Sequence, residues 1–471
     1  MNDNASRCVR SPRSWRRHIM LACLFLFPSL SSANTEGPYI YRVNGGEATI
    51  TGFNLVYSGS LSIPDKLGGF PVTAIGFRAF ELCSRLTAVT IPDSVTAIAR
   101  EPFRDCASLA TVTIPDSVTN INNYISLYCS SLTNINVSDG NPRYTDIGGV
   151  LFDKNCTKLI EYPGGLSGPY TIPTSVVVIG DSAFCGCTFL TAITIPDSVA
   201  VIGNSTFHGC TNLTTATISG NVAGIGDCVF LQCTSLTTAT IPANVTNIGA
   251  WAFCSCASLT NITIPDNVTD IGQYAFYECT NFTTITIPAG VTNIGTWAFN
   301  SCTSLTNITV SGSNPKYADV DGVLFNKDRT TLLAYPGGLV GPYTIPDSVT
   351  AIGNSAFAGC VFLTAVTIPD SVTNIGKEAF HECKALTAVT IPDNVTNIGS
   401  RAFTGCNLLA DVYFCGDAPS ADIYLFYNTR NITVYRMQGK AGWPDVPAPW
   451  QDRPTALWVP SVPATNLNIG R

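Results

Sequence analysis

Ile264 to Thr286 reads IPDNVTDIGQYAFYECTNFTTIT, and at Ile287 the same phrase starts again. A period this short and this regular predicts a solenoid in which each repeat is one coil. No repeat can bury its own apolar side, so the coils must stack and share a continuous core. Units begin at Ile63, Ile91, Ile114, Val137, Ile172, Ile195, Ile218, Ile241, Ile264, Ile287, Val310, Ile345, Ile368 and Ile391. The step is 23 residues, stretched by a five-residue insertion after Ile63 and to 35 after Val137 and Val310. The two long units are near copies, with Asn141-Pro142-Arg143-Tyr144 and Gly149-Val150-Leu151-Phe152 in one, Asn314-Pro315-Lys316-Tyr317 and Gly322-Val323-Leu324-Phe325 in the other. They lie 173 residues apart, which points to duplication of a larger block. Each insert reads as a hairpin with a polar turn.

Polarity assigns roles within a unit. In Leu259-Thr260-Asn261-Ile262-Thr263-Ile264 the two Ile point inward with period two, and Asn261 and Thr263 face solvent. Pro265 ends that strand and Pro265-Asp266 opens a turn. Val268 and Ile271 belong to a second short strand, closed by Gly272. Ala275, Phe276 and Cys279 then sit three or four apart, as on one helical turn. Phe recurs at this place as Phe80, Phe103, Phe184, Phe207, Phe230, Phe253, Phe276, Phe299, Phe357, Phe380 and Phe403, an aromatic spine. The unit starting at Ile114 carries Ser126 instead, which predicts a local irregularity.

Cysteine is abundant, 19 in all, but its spacing opposes a disulfide framework or a metal site. Cys83, Cys106, Cys129, Cys187, Cys210, Cys233, Cys256, Cys279, Cys302, Cys360, Cys383 and Cys406 occupy one place in successive units. Zinc needs four ligands converging on a point, whereas these make a line with one thiol per coil. They read as buried free thiols filling small apolar gaps.

Residues 1–33 look like a secretory signal: Arg7, Arg10, Arg13, Arg16 and Arg17, an apolar run from Ile19 to Phe27, then Ser31-Ser32-Ala33. Without them 20 basic and 31 acidic residues remain, a net of −11, which disfavours nucleic acid as a partner. No later stretch has 18 apolar residues, so no membrane span is expected after signal removal. Residues 34–62 read as a β-hairpin cap around Asn44-Gly45-Gly46, 63–414 as the solenoid with hairpin inserts near 141–171 and 314–344. Residues 415–459 read as a C-terminal cap and 460–471 as a tail.

The recurring pattern Ile368-Pro369, Val372, Ile375-Gly376, Ala379-Phe380, Cys383, Leu386, Val389 resembles that of the BspA-like leucine-rich-repeat family. The Asn-Pro-x-Tyr and Gly-Val-Leu-Phe inserts are similar too, as is the ending Gly416-Asp417-Ala418-Pro419 through Gly442-Trp443 to Arg453-Pro454-Thr455. The resemblance covers about residues 40–459. It implies a right-handed leucine-rich-repeat solenoid of about fourteen coils, mainly β with short helical turns. It also implies a bacterial or protist surface or secreted protein linked to adhesion. It carries over no catalytic residue and no ligand motif.

Little in the chain suggests catalysis. His18 leaves with the signal, and His208 and His381 stand alone in distant coils, which reads as surface placement. No phosphate loop, zincin helix or nucleophile elbow occurs. Most carboxylates lie in Pro-Asp turns, and no cofactor or metal is expected. One surface feature stands apart: Trp251, Tyr274 and Trp297 occupy the same variable position in three consecutive coils, with Tyr277 adjacent. Stacking predicts a row about 5 Å apart, suited to a sugar or peptide ligand or simply to mutual packing. A row of outward Thr before each strand end reads as β-propensity, with ice binding as a remote alternative. The expected function is that of a monomeric, exported or cell-surface module binding an extracellular protein or glycan without catalysis. The alternative is a secreted carbohydrate-active enzyme or its targeting module.

Overall fold

A computed structural model describes residues 33–446 and 448–458. The predicted leader, apart from Ala33, and the predicted tail lie outside the described residues. The described residues form two compact units, one ending at Asn155 and the other starting at Cys156. Both are built from stacked coils, and none of the described residues is in a helix.

Most coils place two short strands on two sides of the core, and these pair in parallel with their equivalents in a neighbouring coil. In the second unit Thr284–Ile287 pairs with Asn307–Val310, and Asp270–Ile271 with Asn293–Ile294, both in a 23-residue register. The third side was expected to be a helical turn. It is instead a run of tight turns, because alternate donors go to the next coil and the others reach back three residues rather than four. Trp251 N–H donates to Gln273 O at 2.9 Å, Phe253 to Ala275 at 2.8 Å and Ser255 to Tyr277 at 2.7 Å. Left-handed residues at both ends break any α-run: φ is 58° at Tyr274 and 57° at Glu278. The third side is therefore a hydrogen-bonded ladder between coils.

The side chains of this turn build the core. Phe207–Phe230, Phe230–Phe253 and Phe253–Phe276 stack at 5.3, 5.2 and 5.5 Å, and Phe380–Phe403 at 5.2 Å. Burying each Phe stabilises by roughly 1.5–3 kcal/mol. Ser126 breaks the series in the first unit, where it is buried together with its neighbour Ile125. Residues 261–264 keep the expected alternation, Ile262 and Ile264 in and Asn261 and Thr263 out, but join no strand ladder. Burial needs only the path of the coil, not its hydrogen bonds.

The coil count exceeds the expected fourteen, because stacking continues where the sequence phrase lapses. Tyr162 and Tyr335 take the spine position after each insert, 4.8 Å from Phe184 and 5.1 Å from Phe357. Beyond Phe414, Phe426 stacks on Phe403 at 5.9 Å. Asp411–Phe414 pairs with Thr433–Met437, which pairs in turn with Thr455–Trp458. At the other end Tyr39–Asn44 and Glu47–Phe53 form an antiparallel hairpin. Its turn residues Gly45 and Gly46 have φ of 60° and 83°.

The inserts have a definite job. Asn314 is fully buried and satisfied. Its amide donates to Pro288 O at 2.7 Å and Val291 O at 2.9 Å, and its oxygen accepts from Lys316 and Tyr317 N–H, both at 2.9 Å. Tyr317 Oη accepts from Ile294 N–H at 3.1 Å and Asp319 Oδ1 from Val310 N–H at 2.8 Å. In the first unit Asn141, Tyr144 and Asp146 repeat the arrangement. Side chains of the insert thus complete strand ends that elsewhere bond to the backbone of a neighbouring coil.

Candidate interaction surface

The turn side of the coil presents its variable residues at two left-handed positions flanking the spine Phe, two before and two after it. The earlier of the two is held by Ser182, Ser205 and Ser355 at φ of 55°, 56° and 56°, and by the long charged side chains of Arg78, Glu101, Glu378 and Arg401 at 54°, 58°, 57° and 60°. Trp251, Tyr274 and Trp297 hold the same position at φ of 60°, 58° and 64°. Three consecutive bulky residues accept a conformation that costs an L-residue roughly 1–2 kcal/mol.

All four predicted aromatics come together and are half-buried. Trp251 stacks on Tyr274 at 3.9 Å and 11°, and Tyr274 on Trp297 at 5.8 Å and 19°. Tyr277 stands nearly perpendicular to all three, 6.4, 5.5 and 6.0 Å away. Burial and neighbouring Glu278 push its hydroxyl well up, and burial raises that of Tyr274 too. The three rings turn faces toward one another, so the row offers mainly edges and polar tips outward.

The surface extends further along the same columns than the sequence reading foresaw. Asn300 donates to Ser355 O and Ala358 O, both at 2.9 Å, placing the coil of Trp297 against that of Phe357. Small side chains there let His381 reach Trp297 edge-on at 5.3 Å. Beyond it, Arg401 lies 5.9 Å over Tyr424, which meets Tyr427 at 6.4 Å. The signal was present, since these residues also sit two before or one after a spine position, but the insert interrupts the count.

The structural rows lie inside. Phe184, Phe207, Phe230, Phe253, Phe276, Phe299, Phe357, Phe380 and Phe403 are buried, as are Cys187, Cys210, Cys233, Cys256, Cys279, Cys302, Cys360, Cys383 and Cys406. The thiols do more than fill gaps. Cys256, Cys279 and Cys302 donate to the carbonyls of Phe230, Phe253 and Phe276 in the preceding coil, at 3.1, 3.1 and 3.0 Å. Burial holds Cys302 up at about 12. The two histidines, read as surface residues, are both partly covered, which lowers each from its ordinary value. His208 Nδ1 lies 3.7 Å from Cys185 Sγ. Among the described residues no group of three or more His, Cys, Asp or Glu is placed to hold a metal, and no helix is long and apolar enough to cross a membrane.

Comparison with known proteins agrees with this architecture. The chain matches the family described as "BspA type Leucine rich repeat region (6 copies)" over residues 57–167, 169–269, 224–320 and 340–441. No curated protein matches it significantly. Among solved structures it is similar to a leucine-rich cell surface protein of Faecalibacterium prausnitzii, 28% identical over 88% of this chain and 96% of that one, with a TM-score of 0.44. A leucine-rich repeat protein of Bacteroides ovatus is 22% identical over 92% of this chain and 100% of its own, with a TM-score of 0.42. With the family pattern matched over most of its length and visible as stacked coils, the chain belongs to the BspA-type leucine-rich-repeat family.

Proposed function

We propose that the protein is an exported or cell-surface recognition module that binds another protein without turning it over, through the row of Trp251, Tyr274, Tyr277 and Trp297. Membership of a leucine-rich-repeat family supports protein binding. The observation that carries the choice of site is the aromatic stack itself, three aromatic residues in successive coils at a position that other coils fill with Ser, Cys, Glu or Arg. Mutual stacking also supports a protein over a glycan. A sugar ring packs flat on an open aromatic face, whereas these faces are turned onto each other. Trp and Tyr are common anchors of protein interfaces.

The test uses the chain from Asn34 onward, immobilised and exposed to intact cells and to purified extracellular proteins. Trp251→Ala with Trp297→Ala is expected to abolish the strongest binding signal while circular dichroism and the unfolding midpoint stay within a few degrees of the parent. Undiminished binding by the double variant overturns the reading.

A further inference from the structure

Elsewhere the turn corners of this protein supply their own cations. Arg104 lies 3.0 Å from Glu101 and 5.6 Å over Tyr128, and Arg78 lies 2.7 Å from Glu101 and 4.8 Å over Phe77. Arg401 reaches Glu378 at 4.0 Å while covering Tyr424. Lys384 pairs with Glu382 at 3.6 Å, and Glu81 has Arg78 at 3.4 Å. In both arginine clusters, the one around Glu101 and the one at Glu378, aromatic rings, a carboxylate and a guanidinium make one unit.

The Trp251–Trp297 corner has the first two parts and lacks the third. Glu278 is exposed at the left-handed position after Tyr277, accepts a hydrogen bond from Ser255 Oγ at 3.0 Å, and has no ion pair among the described residues. The cations beside His381 across the insert, Lys384 and Arg401, already face Glu382 and Glu378, and the corner's own run of coils supplies none. Residues 159–315 contain no Lys or Arg, and their acids are Glu161, five Asp and Glu278. A surface of one sign attracts the opposite sign and raises its local concentration.

We propose that the missing third part comes from the partner: the aromatic row and Glu278 receive a lysine or arginine side chain of a basic protein segment. This rests on the reading of the row as the binding site and adds the chemistry of what binds. A cation beside aromatic rings and one carboxylate gains from both, more so as docking excludes water. The anionic block around the corner supplies long-range attraction, which salt screens.

The probe is a ten-residue peptide alternating Gly and Arg, with a Gly–Glu peptide as control, titrated into the chain from Asn34 onward and followed by tryptophan fluorescence. The Arg peptide is expected to bind and the Glu peptide not. Glu278→Gln should weaken binding about tenfold, and Trp251→Ala with Trp297→Ala should do at least the same. Asp197→Asn removes the same charge from an exposed turn of the same block, away from the row, and should change affinity less than twofold. Equal effects of Glu278→Gln and Asp197→Asn would reduce the attraction to diffuse charge and overturn the proposal, as would failure of the Arg peptide to bind. If cell or protein binding depends on the tryptophans but not on Glu278, the row stands as a site and the cationic ligand falls. If a neutral glycan is bound through the tryptophans, the proposal falls as well.

Discussion

A thiol and a hydroxyl do the same work in this chain. Cys279 Sγ donates to Phe253 O at 3.1 Å, and Thr429 Oγ1 donates to Phe403 O at 2.6 Å from the equivalent place. The recurring Cys is therefore a small residue that carries one donor, matched to a carbonyl of the coil beneath. The sequence reading recognised the row and its burial but took it for apolar filler. Spacing reveals which residues line up, whereas the direction of an S–H depends on where the next coil puts its carbonyl. Cys279→Ser keeps a donor and Cys279→Ala loses it. In urea titrations the Ala variant is expected to be less stable than the Ser variant by about 1 kcal/mol. Equal stability would mean that the thiol serves only as volume.

Among the elements, the insert and the turn corner show where the sequence was legible and where it was not. The near-identity of the Asn141 and Asn314 segments marked a repeated device. Its purpose lay in contacts 23 and 26 residues upstream, which no local pattern reports. Asn314→Ala leaves two carbonyls and two amides without their partner in a fully buried place. It is expected to cost about 2–4 kcal/mol in chemical denaturation, whereas the exposed Asn261→Ala should cost less than about 0.5. A loss below 1 kcal/mol at Asn314 would show that water replaces the side chain there. The turn corner failed differently. Ala275, Phe276 and Cys279 have helical spacing, but the left-handed residues at Tyr274 and Glu278 are invisible to periodicity because neither is glycine. The aromatic row was found because three aromatic residues fall in succession at a position whose residue type otherwise varies freely, while His381, Arg401 and Tyr424 were missed across the insert.

At the scale of the whole molecule, repetition multiplies small effects. Burial raises the thiols of Cys302 and Cys406 to about 12, from an ordinary value of 9.0. A raised thiol favours the folded state fully below the unfolded value, and that contribution fades as pH climbs through the folded one. Above about pH 9 the unfolded chain sheds protons that the folded chain retains, at about 1.4 kcal/mol per unit of pH for each thiol. The unfolding midpoint is expected to drop steeply between pH 9 and 10.5, and a variant with Cys256, Cys279 and Cys302 all changed to Ser should show a shallower fall. Parallel curves for the two proteins would remove the thiols as the cause.

The central claim is that the phenylalanine and cysteine rows line the inside of the stacked coils. Thiol footprinting tests it most directly: the native protein is treated with iodoacetamide at neutral pH, and each modified cysteine is located by mass spectrometry with and without denaturant. Among the described cysteines, native labelling is expected only at the partly exposed Cys156, Cys185 and Cys415, with the row from Cys187 to Cys406 reacting once urea is added. Rapid native labelling of Cys256, Cys279 or Cys302 would contradict the account.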